Sequence, residues 1–199
     1  MPMLRGRNVN LDLRVRESRT ERLIDDLKCG TLDAAVVALP AKVAGLSERA
    51  LFKDRFLLAG SRAQISDLAE APVTLRPETL DPDRLLLLEE GHCLSDQALE
   101  VCAMERSATR VDLSASSLGT LCQLVAEGFG LTFLPEIALR SERRAVPDMA
   151  TLRFSSPQPA RVIGLVRRAG SMGGAWFDEL AETLTKAGQE LLQAAKVQK

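Results

Sequence analysis

The residues of this chain that can do chemistry are concentrated between positions 91 and 102. Gly91-His92-Cys93-Leu94-Ser95-Asp96-Gln97 joins a thiol, a carboxylate and the only histidine of the 199-residue sequence. A second thiol, Cys102, follows nine residues after the first. The thiolate is the form that peroxides attack, giving a sulfenic acid that a second thiol can resolve to a disulfide. The inventory is therefore that of a cysteine whose oxidation state matters. The same residues admit plainer readings. Cysteine is among the most buried residue types, so Cys102 on an apolar helix face also reads as core filling. A Cys93–His92 nucleophile pair would need two sequence neighbours to face each other. For zinc, Cys29, Cys93, Cys102 and Cys122 lack CxxC spacing, and one histidine is too few.

The elements around Cys93 give it a defined place. Leu85 to Leu88 is an all-apolar stretch that reads as a buried strand, and Leu94 to Glu105 reads as a helix with Leu94, Ala98, Val101 and Cys102 on one face. Cys93 then stands at a strand end and a helix start. Open α/β sheets place ligand sites at the carboxyl ends of strands, and a helix N-terminus favours thiolate. If residues 93 to 102 form one helix, the two cysteines lie ~13–14 Å apart along it. A disulfide needs Cα atoms ~4.4–6.8 Å apart. A bridge between them would have to unwind that helix, and a small chemical event would become a conformational one.

The rest of the chain alternates strands and helices. Val9, Leu11, Leu13 and Val15 alternate with polar residues as in a strand. Ser18-Arg19-Thr20-Glu21 reads as a capping box, opening a helix with Leu23, Ile24 and Leu27 inward and Gly30 as its stop. Leu32 to Leu39 reads as a buried strand, which makes a βαβ unit with parallel strands. Phe52 to Gly60 contains a strand. Arg62 to Asp83, with prolines at 72, 77 and 82, reads as loop and short turns. Val111 to Leu113 is a short strand. Ser116 or Ser117 caps a helix with Leu118, Leu121, Leu124 and Val125 inward, ended by Gly128. Leu131 to Leu134 is a strand, and Pro135 opens a short helix to Leu139. Met149 to Phe154 and Val162 to Val166 are strands, and Trp176 to Leu192 is a final amphipathic helix. The pattern predicts an α/β fold with mainly parallel sheets.

Composition narrows the function classes. The 26 basic residues are offset by 27 acidic ones, for a net charge of −1, so the totals carry no nucleic-acid footprint. The cluster Arg140, Arg143, Arg144 reads as a solvated surface patch. Six Phe, one Trp and no Tyr leave Leu, Val and Ala to build the core. No apolar run approaches the ~20 residues of a membrane span, and the first residues lack a signal peptide's apolar stretch. The expected location is cytoplasmic, where a cysteine pair is more often catalytic, regulatory or metal-binding than structural.

Gly91-His92-Cys93-Leu94-Ser95-Asp96-Gln97-Ala98, with Cys102, resembles the redox segment of the hydrogen-peroxide-sensing branch of the LysR-type transcriptional regulators. Four further stretches resemble the wider LysR effector-domain pattern. They are Arg19-Thr20-Glu21 through Leu32-Asp33-Ala34; Ser117-Leu118-Gly119-Thr120-Leu121 with Val125-Ala126-Glu127-Gly128; Gly130-Leu131-Thr132-Phe133-Leu134-Pro135; and Ile163-Gly164-Leu165-Val166-Arg167. Together they cover nearly the whole chain.

The resemblance implies that Cys93 is the peroxidatic cysteine and Cys102 the resolving one. It implies that Thr20, His92 and Asp96 shape a peroxide pocket. Cys29 and Cys122 match no redox position of the family and read as buried packing thiols. The implied fold is α/β, two Rossmann-like lobes like a periplasmic binding protein, joined by a crossing pair of strands. Lobe one is expected at residues 1–57 and 165–199, lobe two at 58–164, with the sensor site in the cleft between them. The family's winged helix-turn-helix, linker helix and first effector-domain strand have no counterpart here, so the chain is expected to be a fragment or truncated form of a longer regulator. Implied partners are hydrogen peroxide and a second copy of the chain, with a tetramer in the full-length parent. DNA and RNA polymerase are reached only through that parent. No cofactor, metal or membrane is implied, and no enzymatic turnover. Two other classes remain open. One is a LysR-type domain that binds a small metabolite, with Cys93 incidental; the other is a thiol-peroxidase-like enzyme.

Overall fold

A computed structural model of the chain describes residues 13–89, 93–104, 115–171 and 175–197, and only the backbone of residues 93, 101, 196 and 197. The chain divides into two compact units. One gathers the chain up to Lys53 with Val162–Val197, and the other spans Asp54–Arg161. The sequence reading puts its lobe boundaries at 57/58 and 164/165, a few residues further along the chain. Two strands run through the divisions without a break: β2 (Leu46–Ser61) and β5 (Ala160–Arg168).

The first unit is built on α1 (Thr20–Cys29), β1 (Ala35–Leu39), the start of β2, most of β5 and α6 (Ala175–Val197). β1 pairs antiparallel with β5, from Ala35 opposite Val166 to Leu39 opposite Val162. Ile24 and Leu27 of α1 pack with Ala35, Val37 and Val166. Ile163 and Leu165 of β5 instead join Leu51, Phe177 and Ala181. The odd–even division of β5 is the two-residue strand period made visible. α1 begins one residue later than a capping box at Ser18 requires. Its N-cap is Arg19, with no side-chain cap bond, because the first helical hydrogen bond runs from the Leu23 amide to the Arg19 carbonyl. Gly30 ends α1 as expected. It takes a φ of 80°, the left-handed region that glycine enters at little cost, and its amide caps the last turn.

The second unit centres on the end of β2, whose residues 56–60 are all buried. β3 (Thr132–Pro135) and β4 (Met149–Arg153) both pair antiparallel with it. Phe56, Leu58, Leu85, Leu87, Leu131, Phe133 and Phe154 are among the residues of one core cluster. Burial of each such side chain contributes about 1.5–3 kcal/mol.

Several sequence expectations are corrected in detail. Residues 13–15 carry no strand, and 9–12 and 111–113 lie outside the described residues. The strand of the first βαβ unit starts at Ala35 rather than Leu32, and its partner among the described residues is antiparallel. The ladders of β1 with β5, β2 with β3 and β2 with β4 are antiparallel, and the isolated bridges of Leu85 with Leu131 and Leu88 with Ala115 are parallel. Leu85–Leu88 is buried throughout but forms no continuous ladder. There the Thr132 hydroxyl donates to the Leu86 carbonyl at 2.8 Å, doing the work of a ladder amide. The stretch after Ser61 is not all loop. α2 (Arg62–Glu70) opens on a capping box between Ser61 and Gln64, and Ile65 is its buried anchor. Two 3-10 turns, Pro77–Thr79 and Pro82–Arg84, account for the proline-rich part. After Pro135 a 3-10 turn leads into α5 (Leu139–Ala145), six residues beyond the expected end.

Candidate functional site

The site is organised by α3 (Cys93–Val101). Its apolar face anchors it: Ala98, Leu99 and Cys102 are buried in the core cluster with Leu85 and Leu87. Polar bonds fix it further. Ser95, itself buried, accepts the Leu88 amide at 2.9 Å and donates back to the Leu88 carbonyl at 3.4 Å. Gln97 accepts a 2.8 Å bond from Nη1 of Arg161. Arg161 is held in turn by Asp54, with Nε and Nη2 at 3.1 and 3.0 Å from Oδ2. Oδ1 of Asp54 accepts the Ile137 amide at 3.1 Å. Asp54 is fully buried, and burial pushes its carboxyl above the usual aspartate range against the opposing pull of Arg161.

Cys93 is the first residue of α3. Cys102 lies one residue beyond the other end, its amide bonded to the Ala98 carbonyl at 3.0 Å. Burial, with Glu78 adding to it, pushes its thiol up to about 12. As placed, Cys102 is a neutral, sequestered thiol. The end of the helix is built on a strained residue. Ala103 takes a φ of 52°, while its amide reaches the Glu100 carbonyl and the Met104 amide reaches the Leu99 carbonyl. That is the glycine-type helix terminator carried by a residue with a Cβ.

Cys93, Asp96 and Cys102 thus share α3 or its immediate end. Asp96 is exposed in the first turn. Thr20 is the half-buried first residue of α1, in the other unit. His92 lies outside the described residues. Cys122 is buried on α4 (Leu118–Ala126), its thiol also pushed up to about 12 by burial. Cys29 corrects the expectation of a buried packing thiol, because it is exposed. It sits two residues past the buried Leu27, about 200° around the helix and so on its outer side. Asp54 and Arg161 carry no local motif and are missed by sequence reasoning; Gln97 stands in the motif but its partner is 64 residues away. Among the described residues no group of His, Cys, Asp or Glu is arranged to hold a metal. Among them, too, no helix is long and apolar enough to cross a membrane.

The chain belongs to the LysR substrate-binding domain family, whose model matches residues 1–189. Its α/β fold is the periplasmic-binding-protein-like regulatory domain of that family. Within the family it is similar to OxyR. A probable hydrogen peroxide-inducible genes activator from Streptomyces viridosporus is 38% identical over 197 residues, 95% of this chain and 60% of the relative. The DNA-binding transcriptional dual regulator OxyR of Escherichia coli is 33% identical over 190 residues, 92% of this chain and 59% of the relative. Both are transcriptional regulators rather than enzymes by their descriptions. A hydrogen-peroxide-bound OxyR variant from Corynebacterium glutamicum superposes with a TM-score of 0.85 at 31% identity, covering 98% of this chain and 61% of that one. The reduced OxyR regulatory domain from Pseudomonas aeruginosa gives 0.75 at 31% identity, covering 93% and 88%. The chain spans about 60% of the length of the curated relatives it matches.

Proposed function

We propose that this chain is the redox-sensing regulatory domain of a peroxide-responsive LysR-type transcription regulator, switched by a thiol–disulfide change between Cys93 and Cys102. The Cys93 thiolate attacks one peroxide oxygen, and the second leaves as hydroxide that takes up a proton to become water. The Cys102 thiol then attacks the sulfenic sulfur, forming the S–S bond and releasing a second water. Two thiols are oxidised and one peroxide is reduced. Thr20, His92 and Asp96 are assigned to the pocket that receives the peroxide.

The observation that carries this reading is the placement of the two cysteine residues along the backbone at opposite ends of α3. Cys93 opens the helix and Cys102 is buried just past its end. A helical rise over nine residues keeps them ~13–14 Å apart, well beyond disulfide reach. Bridging therefore requires α3 to unwind and the core contacts of Ala98, Leu99 and Cys102 to be rebuilt. A change of that size can alter how two copies of the domain associate, and a DNA-binding domain in the full-length protein would read it. The same reading assigns a homodimer to this chain, and a tetramer and RNA polymerase contact to the full-length protein, which acts in the cytoplasm. Titration with one equivalent of peroxide tests it: free thiols should fall from four to two. Four thiols remaining, with Cys93 unreactive, would favour a domain that binds a small metabolite.

A further inference from the structure

We propose that Arg161 is a positioning residue: anchored by Asp54, it holds Gln97 and so keeps α3 in the helical, reduced arrangement, setting how readily Cys93 and Cys102 join. The proposal rests on the redox reading above and goes one step further, to what sets the threshold of the switch.

The geometry separates an anchor from a latch. Arg161 is the second residue of β5 and only 13% exposed in its side chain. Two of its nitrogens share Oδ2 of Asp54, and its guanidinium carbon lies 5.6 Å from the centre of the Phe56 ring. Asp54 has its own second bond, from the Ile137 amide. None of these contacts involves α3. The remaining terminal nitrogen, Nη1, reaches α3 at Gln97. Gln97 stands four residues after Cys93, one helical turn along.

The consequence is a release that leaves no buried charge unpaired. If α3 unwinds to join the cysteines, the Gln97 bond must break, but the ion pair of Arg161 with the fully buried Asp54 remains. Separating that ion pair would be far costlier, since it strands a carboxylate in the interior. One hydrogen bond from a charged donor to a neutral amide is strong enough to bias the equilibrium and weak enough to release. A carboxylate at position 97 would meet the same guanidinium as an ion pair and hold the helix harder.

The test compares the full chain with Gln97→Ala and Gln97→Glu. Each is equilibrated in mixtures of reduced and oxidised glutathione. There the protein dithiol is oxidised to its disulfide while one oxidised glutathione is reduced to two thiols. The Cys93–Cys102 fraction is read by peptide mapping, and amide hydrogen exchange over residues 93–101 is measured in the reduced proteins. Gln97→Ala should shift the equilibrium toward the disulfide by about tenfold and speed exchange; Gln97→Glu should shift it the opposite way and slow exchange. A helix merely damaged by substitution would move both variants in the same direction, and that result, or exchange unchanged from the parent, would overturn the proposal. No Cys93–Cys102 disulfide in any of the three would sink the redox reading and the threshold role with it. The exchange rates would still decide whether Arg161 holds the helix.

Discussion

The Ser95 hydroxyl is bonded to both backbone polar groups of Leu88, accepting from its amide at 2.9 Å and donating to its carbonyl at 3.4 Å. It thereby ties the third residue of α3 to the apolar stretch before it. Ser95→Ala should lower stability by about 1–3 kcal/mol, because it removes the partner of a buried amide. Chemical denaturation of the reduced chain would show the loss as a lower midpoint at unchanged slope. A midpoint equal to the parent's would mean that Ser95 does not secure the helix.

The strained end of α3 gives a prediction of opposite sign. Ala103 holds a left-handed φ of 52°, which glycine adopts without the Cβ penalty. Ala103→Gly should stabilise the reduced chain by roughly 0.5–1 kcal/mol. It should also slow formation of a disulfide that needs this end to open. Faster oxidation in the variant, at equal peroxide, would contradict the assignment of strain to this turn.

How far these features were legible in the sequence depends on how local they are. Ile24, Leu27 and Gly30 declare α1 by their spacing, and Ser117 declares the start of α4, because period and cap act within a few residues. Ser18 misleads because a Ser-x-x-Glu spacing also occurs one residue ahead of a real helix start. α2 hides because the prolines after it dominate the stretch, although Ser61 and Gln64 carry the same cap chemistry. Cys29 is misjudged because residue-type burial is an average, whereas its angle from Leu27 is specific. In the candidate site Cys93 and Cys102 stand out by type and spacing. Asp54 and Arg161 are 107 residues apart, and nothing in the local sequence of either names the other.

The buried thiols bring a pH dependence. Cys102 and Cys122 both titrate near 12 in the folded chain against 9.0 for an unperturbed thiol. Between these values the unfolded chain gives up protons that the folded chain retains, so stability falls as pH rises above about 9. Each thiol contributes up to about 1.4 kcal/mol per pH unit in that window. Cys122→Ala removes one of them without touching the proposed pair. Its stability relative to the parent should therefore improve steadily above pH 9. A difference that stays constant from pH 8 to 10.5 would show that Cys122 is not sequestered as described.

The most direct test of the switch is the connectivity of the disulfide that peroxide produces. Peptide mapping of the chain after one equivalent of hydrogen peroxide should find Cys93 joined to Cys102, with Cys29 and Cys122 still free. Protection of the amides of residues 93–101 should be lost in the same sample. A bridge from Cys93 to Cys122, or a Cys93–Cys102 bridge with those amides still protected as a helix, would contradict the account.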